Sequence, residues 1–447
     1  PEARAIGALL VSQLHEAGVD PDLVHLVCTP DDEIGRHLVT HTGVDEVILT
    51  GSLATADLFH GWRPDMRLHA EKSGKNSLII TAAADIDLAI KDLVKSAFGH
   101  AGQKCSAASL AIVEASVYDD PSFRRRLADA VRSLRVGWAT DPVTILGPVI
   151  SPPSGPLARA LTELAPGESW LVEPRSLDDS GRLWSPGVVW DVQPGSWLHL
   201  TECFGPVLGI IKAETLDQAI DVQNTPQYGL TGGIHSLDPR EVDTWLERVQ
   251  VGNAYVNRHI TGAIVQRQPF GGWKRSSIGA GAKPGGPSHL HTYGTWTVDD
   301  VSIDRARASF DRAWRDRFGV DVDATGLRSE RNILRHHPLA GVVIRGPREG
   351  SAYEVAHLAA EITNTPMLWS DPQTESEDDL ARRLPALGVE RLRILTDVGP
   401  ELVTAAHAAG VAVDRQPVTD VGVVELGRWM KEQSIAITRH RHGRLLD

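Results

Sequence analysis

Cysteine is scarce in this chain: Cys28, Cys105 and Cys203 are the only three in 447 residues. An odd and sparse set is no disulfide framework, and none of them is spaced with histidines as in a zinc site. No metal is therefore expected, and the usage fits a reducing cytoplasm. Runs of about 18 apolar residues are missing, so no membrane-spanning helix is expected. Positive charge is in deficit, with 45 Lys and Arg against 58 Asp and Glu and a formal charge of −13. That balance argues against nucleic acid as the partner, while a local cationic pocket for a small anion remains compatible with it. The first residues, Pro1-Glu2-Ala3-Arg4, hold no basic segment followed by an apolar core and do not read as a signal peptide.

What is present is enough for several domains. A hydrophobic share of 42% with 23% charged residues is ordinary for a globular chain, and this length suggests two to four units. Ala5 to Ala17 has helical apolar spacing with Gly18 as a stop. Leu23–Val27 and Val47–Leu49 read as strands, with a helix at 32–42 between them. Alternating β and α patterns of this kind predict a parallel sheet covered by helices. Residues 74–272 read as mixed α/β, and the Gly-, Ser- and Pro-rich stretch at 275–300 as a return crossing. From about 303 a second βα series begins, with strands expected at 341–344, 392–395 and 435–437. Helices are expected at 351–363, 377–387, 400–409 and 421–432. No G-x-G-x-x-G follows any of these strands, so no dinucleotide is assigned to the second series.

Three segments carry chemistry together: Glu71-Lys72-Ser73-Gly74-Lys75, Gly102-Gln103-Lys104-Cys105-Ser106 and Glu202-Cys203-Phe204-Gly205-Pro206. A lone cysteine is by default a small buried hydrophobe. Cys105 is different, because Lys104 adjoins it and a cation favours the reactive thiolate. Cys28 and Cys203 stand among apolar residues and read as structural.

The ordered set resembles the aldehyde dehydrogenase superfamily over about residues 1–300. It runs from Thr50-Gly51-Ser52 through Glu71, Cys105 and the Glu202–Pro206 segment to Pro269-Phe270-Gly271-Gly272. The 34 residues from Glu71 to Cys105 (105 − 71) match the family's spacing of general base and nucleophile. The resemblance implies an aldehyde dehydrogenase-like α/β fold. It comprises a partial Rossmann-type cofactor domain at 1–73, a catalytic domain at 74–272 and a return segment at 273–302. A C-terminal Rossmann-like, non-catalytic domain at 303–447 completes it. It implies Cys105 as nucleophile and Glu71 as the base that activates water. NAD, with NADP not excluded, would lie on Gly51, Ser52, Glu202 and Phe204.

A narrower likeness points to the L-glutamate γ-semialdehyde dehydrogenase (Δ1-pyrroline-5-carboxylate dehydrogenase) branch, including the dehydrogenase half of proline utilization A. It rests on Gln103–Ala107, Tyr255–Arg258, Thr261–Val265, Gln268–Gly272 and Lys283-Pro284-Gly285-Gly286-Pro287. This branch implies that Lys104, Ser106, Gly262 and Ala263 receive the substrate's α-carboxylate, with Phe270 on its aliphatic stem. It also implies a homo-oligomer and an upstream proline dehydrogenase domain. Residues 303–447 resemble the tail of longer proline utilization A proteins through Ser329–Asn332 and Trp429–Thr438, whose end covers a neighbouring active site. The His/Arg run 439–442 reads as a solvated tail.

An oxyanion-holding asparagine and a cofactor-ribose lysine of the family fall upstream of Pro1, so the chain reads as the C-terminal piece of a longer protein. Inside the matched region, Thr29-Pro30-Asp31 replaces a Gly-x-Gly and Ser73-Gly74 replaces a Gly-Gly. Two other readings stand beside the first: an aldehyde dehydrogenase of different substrate range, and a non-catalytic structural or channelling module.

Overall fold

The computed structural model describes residues 3–279 and 281–445. Its main body is a nine-stranded sheet. From edge to edge the strands are Glu330–Pro338, Met430–Thr438, Asn253–Val256, Thr231–His235, Asn76–Ile80, Ala108–Glu114, Val207–Ala213, Gly187–Trp190 and Ser169–Val172. The inner strands run parallel and each edge strand runs antiparallel to its neighbour. Parallel strands covered on both faces read as continuous apolar runs. Leu78, Ile79 and Ile80 accordingly lie fully inside, against Leu93 and Phe98 of the helix Ile86–Phe98. Asp85 caps that helix by accepting from the Leu88 N–H at 3.3 Å.

A three-stranded sheet forms the N-terminal part. Glu46–Thr50 and Arg67–Glu71 pair in parallel, and Ser277–Ile278 returns antiparallel on Arg67–Glu71. Glu71 therefore ends a strand with Thr50 on one side and Ser277 on the other. Leu23–Val27, expected as a strand, is coil, with Leu23 75% exposed. A strand exists only as part of a ladder, and no described segment pairs with this one.

The second βα series forms its own four-stranded parallel sheet, in the order Met367–Ser370, Val342–Arg345, Arg391–Ile394, Ala412–Asp414. Helices Gly350–Thr363, Glu377–Arg383 and Pro400–Ala408 fall where the apolar spacing placed them. The helix expected at 421–432 is shorter, Gly422–Glu425, because the chain extends from Met430. The strand expected at 435–437 also belongs elsewhere: it lies within Met430–Thr438, deep in the nine-stranded sheet. Its Ile435 and Ala436 pair with Ala254 and Tyr255 on one side and Ile333 and Asn332 on the other. The His/Arg run is tethered, since Arg441 Nε donates to Asp85 Oδ2 at 2.6 Å. No helix among the described residues is long and apolar enough to cross a membrane.

Candidate active site

The loop from Gly99 to Ala107 joins the end of one core helix to the start of the strand Ala108–Glu114. His100, Ala101 and Gly102 take left-handed φ values of 55°, 54° and 67° in succession. Two of these are not glycine, and such strain persists only where the surroundings over-determine it. Gly102 could carry no side chain: a Cβ there would lie 2.1 Å from the Gly205 carbonyl oxygen. That close approach brings the Cys105 loop against the Glu202–Pro206 loop, and Gln103 Nε2 donates to the Phe204 carbonyl at 3.2 Å.

Cys105 is half-buried at the end of this loop. Asn76 Nδ2 donates to the carbonyls of Cys105 at 2.7 Å and Ala107 at 3.0 Å, while its Oδ1 accepts from the Thr231 N–H at 3.0 Å. Gly74 packs flat beside them, and a Cβ there would sit 2.9 Å from the Cys105 oxygen. Where Ser73 departs from the family pattern, its Oγ accepts from the Leu53 N–H at 3.3 Å. Burial pushes the Cys105 thiol up; Lys104 and the Ser106 N–H pull it down without outweighing burial. Lys104 does favour the thiolate, as its place beside Cys105 suggested, but desolvation disfavours charge more than this one neighbouring cation restores it. Cys28, expected among apolar packing, is exposed, whereas Cys203 is buried.

Glu71 ends the strand Arg67–Glu71, three residues before Gly74. Burial raises its carboxyl from 4.5 to about 7, against the opposing pull of Lys283, the Gly272 N–H and Lys72. Gly272 N donates to Glu71 Oε2 at 2.9 Å, so the Pro269–Gly272 segment holds the carboxyl in place. Lys283 is buried, and desolvation lowers its ammonium to about 8. A cavity of about 440 Å³ borders Glu71, Lys283, Thr50, Arg275 and Gly271.

Glu202 accepts from the Gly74 N–H at 3.0 Å, and burial raises its carboxyl. Phe204 has φ 54° and is 41% exposed. Ser52 stands exposed before the helix Leu53–Trp62 and caps it, its Oγ accepting from the Thr55 N–H at 3.1 Å. Gly51 N donates to the Glu71 carbonyl at 3.2 Å, which ties that turn to the base. Ser106 is buried, with its carbonyl accepting from Thr231 Oγ1 at 3.3 Å. Gly262 has φ +83° in the loop that continues to Ala263, and Phe270 N donates to the Pro284 carbonyl at 3.1 Å.

Three residues here were absent from the expected site. Asn76, with Ser77, opens a strand that continues as Leu78-Ile79-Ile80, and a buried amide at the head of that apolar run was the signal available. Asn253 likewise opens the strand Asn253–Val256, where Oδ1 accepts from the Gly271 N–H at 3.1 Å and Nδ2 donates to the Pro269 carbonyl at 3.1 Å. Lys283 was visible as the head of the Lys283–Pro287 segment that carries the branch likeness, with no role of its own.

A model of the aldehyde dehydrogenase family matches residues 1–298. The 1-pyrroline-5-carboxylate dehydrogenase of Bacillus subtilis (strain 168) is 36% identical over 297 residues, 64% of this chain and 57% of that protein. Proline utilization A from Corynebacterium freiburgense is similar in structure with a TM-score of 0.90 and 46% identity, covering 100% of this chain and 47% of that one. A 1-pyrroline-5-carboxylate dehydrogenase from Thermus with bound NAD aligns with a TM-score of 0.59 and 32% identity, over 65% of this chain and 57% of that one. The chain thus spans about half the length of the relatives it matches.

Proposed function

We propose that this chain, which belongs to the aldehyde dehydrogenase family and has its fold, carries the site that oxidises L-glutamate γ-semialdehyde to L-glutamate. The observation that carries this reading is a half-buried thiol, Cys105, near enough to feel the charge of Glu71, whose carboxyl is raised to about 7. A base must be poised near the operating pH to take a proton and give it up again. The Cys105 thiol gives up its proton to solvent as its sulfur bonds to the aldehyde carbon, and the C=O electron pair moves onto the oxygen. Oxidation at that carbon leaves a thioester. Glu71 then removes a proton from water, the hydroxide attacks the thioester carbon, and the C–S bond breaks to return the thiolate.

The exposed ring of Phe204, the fixed carboxyl of Glu202 and the exposed helix start at Gly51 and Ser52 fit a nicotinamide dinucleotide. NAD, or NADP, would supply the hydride acceptor when bound. Lys104, Ser106, Gly262 and Ala263 would receive the α-carboxylate, and Phe270 the stem. The likeness to a proline utilization A over the whole chain supports this substrate and an upstream proline dehydrogenase domain.

NADH formation from glutamate semialdehyde by the full-length polypeptide is the test. Cys105→Ser is expected to abolish it, and turnover that survives removes Cys105 from the mechanism. Lys104→Ala is expected to raise KM for the carboxylate-bearing aldehyde about tenfold or more, relative to an uncharged aldehyde of equal length. An unchanged preference leaves the family assignment standing and ends the substrate claim.

A further inference from the structure

The C-terminal strand reaches the base through one lysine. Lys283 Nζ donates to Asn253 Oδ1 at 3.0 Å and to the carbonyl of Gly271, the residue before the N–H that holds Glu71. No side chain is tolerated around it. A Cβ on Gly252 would stand 2.7 Å from Lys283 Nζ, and one on Gly271 would stand 2.8 Å from Glu71 Oε1 and 3.2 Å from Lys283 Cγ. Behind Lys283, Glu432 of the strand Met430–Thr438 accepts from the Lys283 N–H at 2.8 Å. The same strand holds the Pro269–Gly272 segment from below. Ser434 Oγ donates to the Pro269 carbonyl at 2.5 Å, and Trp273 Nε1 donates to the Glu432 carbonyl at 2.8 Å.

We propose that Lys283 is a positioning residue that places a buried positive charge behind Glu71, and that the C-terminal strand holds it there through Glu432. The proposal rests on the reading of Glu71 as the base. Glu71 faces Lys72 at its own strand end, Cys105 from the nucleophile loop and Lys283 from the return segment. Lys283 in turn faces Glu71 and Glu432, and His336 of the neighbouring strand stands 3.6 Å from Glu432 Oε1. The cation favours the charged form of Glu71, and Glu432 favours the charged form of Lys283. The residues from 303 onward are then part of how the base is tuned.

The test is an infrared titration of the full-length polypeptide without cofactor, following the protonated-carboxyl band that Glu71→Gln removes. Lys283→Met is expected to move its midpoint upward by about one pH unit, as loss of a nearby opposite charge does. Glu432→Gln keeps an acceptor for the Lys283 N–H and is expected to give a smaller shift in the same direction. In the Lys283→Met background it is expected to add nothing. An unchanged or lowered midpoint in Lys283→Met overturns the proposal. Should that variant not fold, an unchanged midpoint in Glu432→Gln overturns it equally. Because this readout needs no turnover, an absence of Cys105-dependent NADH formation with the expected shifts would sink the functional reading alone.

Discussion

A carboxyl raised from 4.5 to about 7 by burial affects folding as well as chemistry. The folded chain binds the Glu71 proton more tightly than the unfolded chain does. Its contribution to stability is therefore full below the ordinary carboxyl range and is lost as pH rises through about 7. Glu71→Gln removes that loss. The variant is expected to resist denaturant better than the parent above pH 7, by a margin on the order of 3 kcal/mol. Below about pH 4 the two are expected to coincide, as chemical denaturation across pH will check. Turnover should behave oppositely, with thioester hydrolysis in the parent rising through about pH 7 and absent in Glu71→Gln. Cysteine reactivity is a second test at this level. Alkylation of the folded chain, read by mass spectrometry, is expected to reach exposed Cys28 first and buried Cys203 last. Neither the raised thiol of Cys105 nor the exposure of Cys28 follows from neighbours in the chain. Both depend on which remote segments cover the residue.

Among elements, the strained loop before Cys105 decides whether the site exists. Gly102→Ala would put a Cβ 2.1 Å from the Gly205 oxygen at a left-handed φ of 67°. One of the two loops must move, and the expected result is turnover lowered at least about a hundredfold with the nine-stranded sheet intact by circular dichroism. Asn76→Ala would leave two carbonyls and the Thr231 N–H without their partner. The expected cost is about 2–3 kcal/mol of stability by denaturant melt. Some elements could be read from residue order alone. The helices within 350–408 are marked by apolar periodicity, and their boundaries hold within a few residues. Strands were read less well, and for one reason. Leu23–Val27 and Ile435–Ile437 have equally good strand composition, yet one has no ladder partner and the other finds two in a distant sheet.

Across the whole molecule, the C-terminal residues cannot be peeled away as an appendix. The strand Met430–Thr438 lies inside the nine-stranded sheet and carries the edge strand Glu330–Pro338 beyond it. Ile435→Asp would bury a carboxylate where the side chain is 1% exposed, with no cation paired to it. We expect the four-stranded sheet and the catalytic sheet to melt in one calorimetric transition in the parent, and Ile435→Asp to lower it by roughly 10 °C or more. Two separate transitions with only the smaller one affected would contradict the interleaving.

The sequence by itself determined the family and the α/β class, because the ordered turns, the glycine-bounded loops and the apolar runs are local patterns that each short segment carries alone. The tertiary structure decided which strands pair, how far burial moves Glu71 and Cys105 from their ordinary ranges, and that Lys283 and Glu432 stand behind the base. Those are properties of desolvation and of hydrogen bonds between segments 149 and 201 residues apart, and nothing in the residues near either end records them.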